Sequence, residues 1–168
     1  QRFDDATLLY LKSLKLLENS KNYKLLGKIY SDIADISTIQ NDYNEALKKY
    51  KESINFFVLS GDSVEVSYRN IFIGRVYRLL KDYKTAQQYY RKTLQITNDS
   101  ITNGLAYQEM GVNYSEAKKY DSAEFYLRKS LRFPYTSNNY AIRNFFISEY
   151  FFDIAKYDSA SYYALEAL

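Results

Sequence analysis

The chain has 168 residues, of which 46% are apolar and 26% charged, a composition typical of a folded globular chain and unlike that of a disordered one. Its 23 basic and 20 acidic residues give a formal net charge of +3, too balanced to predict binding to nucleic acid or to a membrane surface. Histidine and cysteine are absent, and no apolar run reaches the roughly 18 residues that span a bilayer. We therefore expect no catalytic residue, metal site or cofactor, and no membrane insertion.

One short pattern recurs along the chain and predicts its helices. The pentapeptide KYDSA occurs at 119–123 and again at 156–160, a separation of 37 residues. Its alanine, with an aromatic residue three positions before it and packing residues four, seven and eight positions after it, is found five times, at intervals of 40, 40, 37 and 37 residues. These offsets mark one face of an amphipathic helix. The five anchor alanines are Ala6, Ala46, Ala86, Ala123 and Ala160.

A second small residue stands 12 positions before each anchor alanine from the second copy onward. These residues are Ala34, Gly74, Gly111 and Ser148. Apolar residues flank them at helical spacing, so each unit is predicted to be a hairpin of two helices that cross where both side chains are small. We interpret all nine residues as repeat-packing residues. The predicted units are 1–20 (a second helix only), 21–60, 63–98, 101–134 and 136–168, separated by turn residues near 60–63, 98–100 and 133–134.

This pattern resembles the tetratricopeptide repeat (TPR) family. Two units fit the family register best: one with Gly74, Tyr77, Tyr83, Ala86, Tyr90 and Thr93, and the next with Gly111, Tyr114, Tyr120, Ala123, Leu127 and Ser130. The resemblance implies an all-α fold, a right-handed α-solenoid of antiparallel helix hairpins. The periods of 37 and 40 residues are similar to those of long-period variants in bacterial regulatory proteins.

The resemblance also implies a groove for a protein or peptide partner, lined by the first helix of each hairpin. Carried across, the groove residues are Asp35, Tyr68, Arg75, Arg78, Gln108, Phe145, Glu149 and Phe152. Arg75 and Arg78 could hold a partner's carboxylate, or they could be solvated or paired internally. Phe145 and Phe152 could anchor an apolar side chain, or they could contact a following repeat. The acidic pair Glu109 and Glu116 is expected on a solvated face.

We predict a non-catalytic scaffold or adaptor module. One alternative is the sensory region of a bacterial transcription regulator, membrane-anchored or cytosolic, which leaves the compartment open between the cytoplasm and the periplasmic side of a membrane. Another is a small-ligand or peptide receptor with a pocket between Tyr68, Arg75, Arg78 and Gln108. The lysine and asparagine clamp of chaperone-adaptor TPRs is missing, because Ser31 with Asp35 and Ile71 with Arg75 take its positions.

The two ends of the chain carry apolar side chains that no further repeat covers in this sequence. The chain starts at Gln1 without a methionine and stops within a predicted helix, which suggests a piece of a longer protein. Open repeat arrays depend on stacking between neighbours, so uncovered ends are expected to fray or to self-associate. The residues expected to do so are Leu8, Leu11 and Leu14 at one end and Tyr162, Tyr163 and Leu165 at the other.

Overall fold

The computed structural model describes residues 2–17, 19–134 and 136–168, and within them the chain forms nine α-helices and no strand. The helices form an all-α solenoid of antiparallel hairpins, as predicted, in which a lone first helix is followed by four pairs. The helices are α1 (Arg2–Leu16), α2 (Tyr23–Ile39), α3 (Tyr43–Leu59), α4 (Ser63–Leu79), α5 (Tyr83–Ile96), α6 (Ser100–Glu116), α7 (Tyr120–Ser130), α8 (Ser137–Asp153) and α9 (Tyr157–Leu165). In this part of the chain, none of the helices combines the length and the apolar character that a membrane crossing requires.

The turn inside each hairpin has the same geometry four times. Three residues join the two helices, and the middle one has a left-handed backbone, with φ between 57° and 63° at Asn41, Lys81, Lys118 and Ala155. This conformation ends the first helix and reverses the chain in the fewest residues. The constant turn, together with first helices that are 17 residues long in all four hairpins, explains why the spacing of 12 residues between the two small residues never varies.

Two of these turns end on a capping aspartate and two do not. Asp42 and Asp82 accept hydrogen bonds from the backbone N–H groups of Glu45 and Thr85, at 3.1 and 3.0 Å. Lys119 and Lys156 occupy the same position in the last two hairpins, where a lysine side chain has no acceptor to offer. The first amides of α7 and α9 therefore lack the side-chain cap that stabilises α3 and α5.

A capping residue at the start of α9 should stabilise the last hairpin. Lys156 has φ −94° and ψ 69°, close to the −83° and 70° of Asp82. Lys156→Asp should therefore place a carboxylate on the first amides of α9 and add about 1 kcal/mol of stability. Hydrogen exchange of the α9 amides should slow by the factor that corresponds to this gain in stability. Asp82→Ala, which removes the cap of α5, should speed up exchange of the α5 amides. Unchanged exchange in α9 would show that this position does not act as an N-cap.

The small residues lie at the helix crossings. The anchor alanines Ala46, Ala86 and Ala123 have no exposed surface, and Ala160 has 6%. A Cβ added to Gly111 would lie 2.6 Å from Cγ of Leu127, which shows how closely α6 and α7 approach. Ala34 is likewise fully buried, whereas Ala6 and Ser148, at the two ends of the array, are half-buried. The aromatic partner of Ala6, Phe3, lies outside the residues whose side chains the structure describes.

Most of the aromatic residues pack within the hairpins. In each of the last three hairpins, one aromatic ring of the first helix stacks on one ring of the second helix. Each ring lies three positions after the small residue of its own helix, and the ring centroids are 5.5 Å apart each time. The stacked pairs are Tyr77 with Tyr89, Tyr114 with Tyr126, and Phe151 with Tyr163. The 20 tyrosines and 10 phenylalanines thus chiefly reflect the repeat, in which an aromatic pair joins the two helices next to the crossing.

The length of the repeat varies outside the crossings. The second helices shorten along the chain, from 17 residues in α3 to 14, 11 and 9 in α5, α7 and α9. The terminal helices expose apolar side chains, including Leu8 at 52%, Leu11 at 49% and Leu165 at 71%. Self-association through these ends stays a prediction.

Candidate functional site on the inner helices

The first helices of the hairpins, α2, α4, α6 and α8, form the inner layer of the solenoid. Helix α6 contacts α4 on one side and α8 on the other. Within the described residues, the second helices do not contact each other to a comparable extent. From α4 to α8 the first helices are therefore closer together than the second helices, as on the concave side of a repeat array. Asp35, Arg75 and Glu149 occupy the same position on three of them, one residue after the small residue, and so form one row across the concave face.

Arg75 and Arg78 on α4 are held by carboxylates of α6. The guanidinium of Arg75 donates to Oε1 of Glu109 at 2.8 Å, and Arg78 lies 3.8 Å from Oε2 of the same carboxylate. Arg78 also pairs closely with Glu116. Burial lowers the pKa of Arg75, but the charge of Glu109 and its hydrogen bond more than offset this, so the pKa lies above its usual value. Both arginines are thus internally paired, one of the two possibilities left by the sequence.

Glu109 is the centre of this network, and its side chain is only 1% exposed. The sequence pattern predicted Glu109 on a solvated face, and that prediction is wrong. Its position two residues before Gly111, where α6 meets its neighbours, would have indicated burial. A buried carboxylate needs charged partners, and the two arginines of α4 supply them. Glu109 and Glu116 therefore belong to an ion-pair network between consecutive hairpins.

Asp35 extends the charged row towards the first hairpin. The Tyr50 hydroxyl donates a short hydrogen bond to its carboxylate. Burial raises the pKa of Asp35, while this hydrogen bond and the positive charges of Arg69 and Arg75 act in the opposite direction. Tyr68 is half-buried and packs on Phe72, with ring centroids 5.5 Å apart. Asp35 and Tyr68 therefore belong to the packing between helices as much as to an open surface.

Gln108 faces the interior rather than the groove. It is 2% exposed, and its Nε2 has no hydrogen-bond partner among the described residues. The receptor pocket suggested by the sequence needed Gln108 beside Tyr68, Arg75 and Arg78. Since Gln108 is buried and Arg75 and Arg78 are engaged by glutamates, these four residues do not line an open pocket.

The open part of the concave face lies between α6 and α8. A hollow of about 540 Å³, here called the α6–α8 hollow, is lined by residues that include Ser115, Glu116, Glu149, Phe152 and Asp153. Phe152 is 64% exposed, and Phe145, two turns away on the same helix face, is 51% exposed. Burial raises the pKa of Glu149, and the negative charges of Asp153 and Glu116 add to this effect. The hollow thus combines an exposed aromatic surface with carboxylates that repel one another.

Comparison with known proteins supports the repeat assignment. Residues 63–134 match the family model described as tetratricopeptide repeat, which covers α4 to α7. BtubC from P. vanneervenii has the same fold, with 16% sequence identity and a TM-score of 0.77. The match covers 99% of this chain and 72% of the BtubC chain. The apo form of RapI has 14% sequence identity and a TM-score of 0.76. The match covers 99% of this chain and 48% of the RapI chain.

A third structure is named as a repeat protein outright. YrrB, described as a TPR protein with an unusual peptide-binding site, has 18% sequence identity and a TM-score of 0.55. The match covers 94% of this chain and 72% of the YrrB chain. A search of curated protein sequences gives no significant match. The matched residues 63–134 are thus assigned to the tetratricopeptide repeat family, and the four equal turns extend the same hairpin pattern to α2, α3, α8 and α9.

Proposed function

We propose that the chain is a protein-interaction module whose α6–α8 hollow binds a partner segment with a basic residue close to an apolar one. Tetratricopeptide repeats are typically non-catalytic interaction modules, which supports the general class. The observation that carries the specific proposal is the pairing of the exposed Phe152 ring with the carboxylates of Glu149 and Asp153 around one open hollow.

Charge complementarity decides the chemistry of the partner segment. The sequence suggested a carboxylate bound by Arg75 and Arg78, but Glu109 and Glu116 already neutralise these two arginines. A partner carboxylate would have to displace them, at the cost of leaving Glu109 buried without a partner. Glu149 and Asp153 are in neither of these ion pairs, so a lysine or arginine of the partner gains attraction without breaking one. An adjacent leucine or phenylalanine could pack on the Phe152 ring.

Selection from peptide libraries tests this proposal directly. One library fixes an arginine two residues from a leucine, and the matched library replaces this arginine by glutamate. The immobilised protein should enrich the first library and not the second. Glu149→Lys combined with Phe152→Ala should abolish the enrichment, because both the charge and the apolar surface are lost.

The control variant makes similar changes outside the concave face. Asp121→Lys combined with Phe125→Ala alters one exposed acidic and one exposed aromatic residue on α7, a second helix. It should leave the enrichment intact. Equal loss in both variants, or enrichment of the glutamate library, would contradict the proposal and locate binding elsewhere.

Binding in the hollow should depend on pH. Because the pKa of Glu149 is raised, its carboxylate takes up a proton at a higher pH than an ordinary glutamate. Affinity for an arginine-containing peptide selected as above should therefore fall as the pH is lowered from about 7 to about 5. Fluorescence anisotropy at the two pH values measures the change. Glu149→Gln should weaken binding at pH 7 and flatten its dependence on pH, and a profile unaltered by this substitution would remove Glu149 from the site.

A further inference from the structure

A second cleft adjoins the α6–α8 hollow, with which it shares Glu116. Its volume is about 730 Å³, within the range of ligand-binding clefts, and it is formed by the start of α5 together with the end of α6 and the turn to α7. Five basic residues line it: Lys81, Lys84, Arg91, Lys118 and Lys119. None of these five residues belongs to the groove predicted from the repeat register. The cleft is lined mainly by basic residues, whereas the charged residues of the α6–α8 hollow are acidic.

Basic residues outnumber acidic residues in the lining of this cleft. Only two acidic residues, Asp82 and Glu116, line it beside the five basic ones, an excess of three. This excess equals the formal net charge of +3 of the entire chain, so the remaining 18 basic and 18 acidic residues balance. The cleft therefore carries the unbalanced charge that the overall composition did not reveal.

Both carboxylates of the cleft are already engaged. Asp82 accepts the hydrogen bond that caps α5, and Glu116 pairs with Arg78. Lys81 lies 3.9 Å from Glu116, at the limit of an ion pair. In the described part of the chain, no carboxylate oxygen lies within 4 Å of a side-chain nitrogen of the other four basic residues, Lys84, Arg91, Lys118 and Lys119. These four cations are available to an external anion.

The cleft also presents a buried amide pair whose hydrogen bonding is incomplete. Nδ2 of Asn113 donates to the carbonyl oxygen of Tyr83 at 3.0 Å and to Oε1 of Gln87 at 3.2 Å. Gln87 and Asn113 are 7% and 1% exposed, and both line the cleft. Nε2 of Gln87 and Oδ1 of Asn113 have no partner among the described residues. One unpaired donor and one unpaired acceptor therefore lie just beneath the cleft surface, which is costly unless a ligand or water reaches them.

We propose that this cleft binds an acidic peptide segment. A peptide backbone offers both a carbonyl oxygen for Gln87 and an N–H group for Asn113, whereas the oxygens of a phosphate group only accept once ionised. Its aspartate or glutamate side chains complement the unpaired lysines and Arg91 on either side. Three unpaired lysines, one on α5 and two in the turn to α7, suit several carboxylates along a chain better than one compact anion, which is typically held by a fork of arginines.

Fluorescence anisotropy with a labelled glutamate peptide tests the proposal. The probe has about twelve residues with glutamate alternating with serine, and the reference peptide carries glutamine in place of every glutamate. The glutamate peptide should bind, its affinity should fall steeply as salt is added, and the glutamine peptide should not bind measurably. Absence of binding by the glutamate peptide at low salt would overturn the proposal.

A matched pair of variants separates the cleft from general attraction. Lys84→Glu combined with Arg91→Glu should weaken binding of the glutamate peptide at least about tenfold. Lys51→Glu combined with Lys92→Glu makes the same change in net charge at exposed positions of the second helices α3 and α5, outside the cleft, and should weaken it less than about threefold. Equal losses in the two variants would show that only the overall charge matters and would refute a cleft-specific site.

Two further measurements examine the amide pair and the class of anion. Gln87→Met keeps the length of the side chain but removes its amide, and should weaken binding of the glutamate peptide severalfold without altering its salt dependence. An unchanged affinity in this variant would remove the amide pair from the site.

Pyrophosphate serves as a competitor at matched charge concentration. If it displaces the labelled peptide more effectively than the unlabelled peptide does, the cleft selects a compact polyanion and the peptide assignment is wrong.

Discussion

Glu109→Gln is expected to destabilise the protein by about 3 to 5 kcal/mol, the usual consequence of removing one member of a buried ion pair. The carboxylate is 1% exposed and lies 2.8 Å from Arg75 and 3.8 Å from Arg78, whose own side chains are 29% and 12% exposed. Glutamine fits the same space but leaves the guanidinium of Arg75 partly buried without a counter-ion and that of Arg78 with Glu116 alone. Denaturant unfolding, followed by circular dichroism, measures the loss of free energy.

Glu116→Gln is the matched control for this prediction. Its carboxylate also pairs with Arg78, but its side chain is 33% exposed, so water compensates for the lost charge. The expected cost is less than about 1 kcal/mol. If the two variants lost equal stability, or if Glu109→Gln cost less than about 1 kcal/mol, the buried network would not be what holds the second and third hairpins together.

Gly74→Leu is expected to cost about 3 kcal/mol, the upper part of the range for overpacking. The ring of Tyr90, which has no exposed surface, lies directly against this glycine. A Cβ there would come 2.8 Å from Cδ1 and 2.9 Å from Cζ of the tyrosine, closer than real Cβ contacts. Neither helix can move away without opening the core shared by Ile71, Ala86 and Met110. Thermal and denaturant unfolding both measure the effect.

Two further variants distinguish overpacking from a general preference against leucine. Tyr90→Ala removes the opposing ring, so the double variant with Gly74→Leu should lose less stability than the sum of the two single variants, by about 2 kcal/mol. Ser148→Leu changes the equivalent position of the last hairpin, which is half-buried, and should cost less than Gly74→Leu. Simple additivity in the double variant would show that Gly74 and Tyr90 do not meet at the crossing.

The candidate site was predicted from the sequence only in part. The repeat register placed Phe145, Glu149 and Phe152 on a first helix, and in the structure the two phenylalanines are exposed there. The register could not indicate that Arg75 and Arg78 are neutralised, because their partners Glu109 and Glu116 lie 34 and 38 residues away on the next hairpin. The partner-binding role of the groove and the alternative of a bacterial transcription regulator stay predictions.

The sequence by itself determined the architecture of this protein. Small residues at a fixed offset of 12, with aromatic and aliphatic residues at helical spacing, specify helices and their crossings locally, and local patterns can be read without knowledge of distant contacts. Only the tertiary structure decided which charges remain available to a partner. Whether a charged side chain is free depends on what the next hairpin places against it, so the paired arginines of α4 and the basic cleft beside α5 emerged only once consecutive hairpins were stacked.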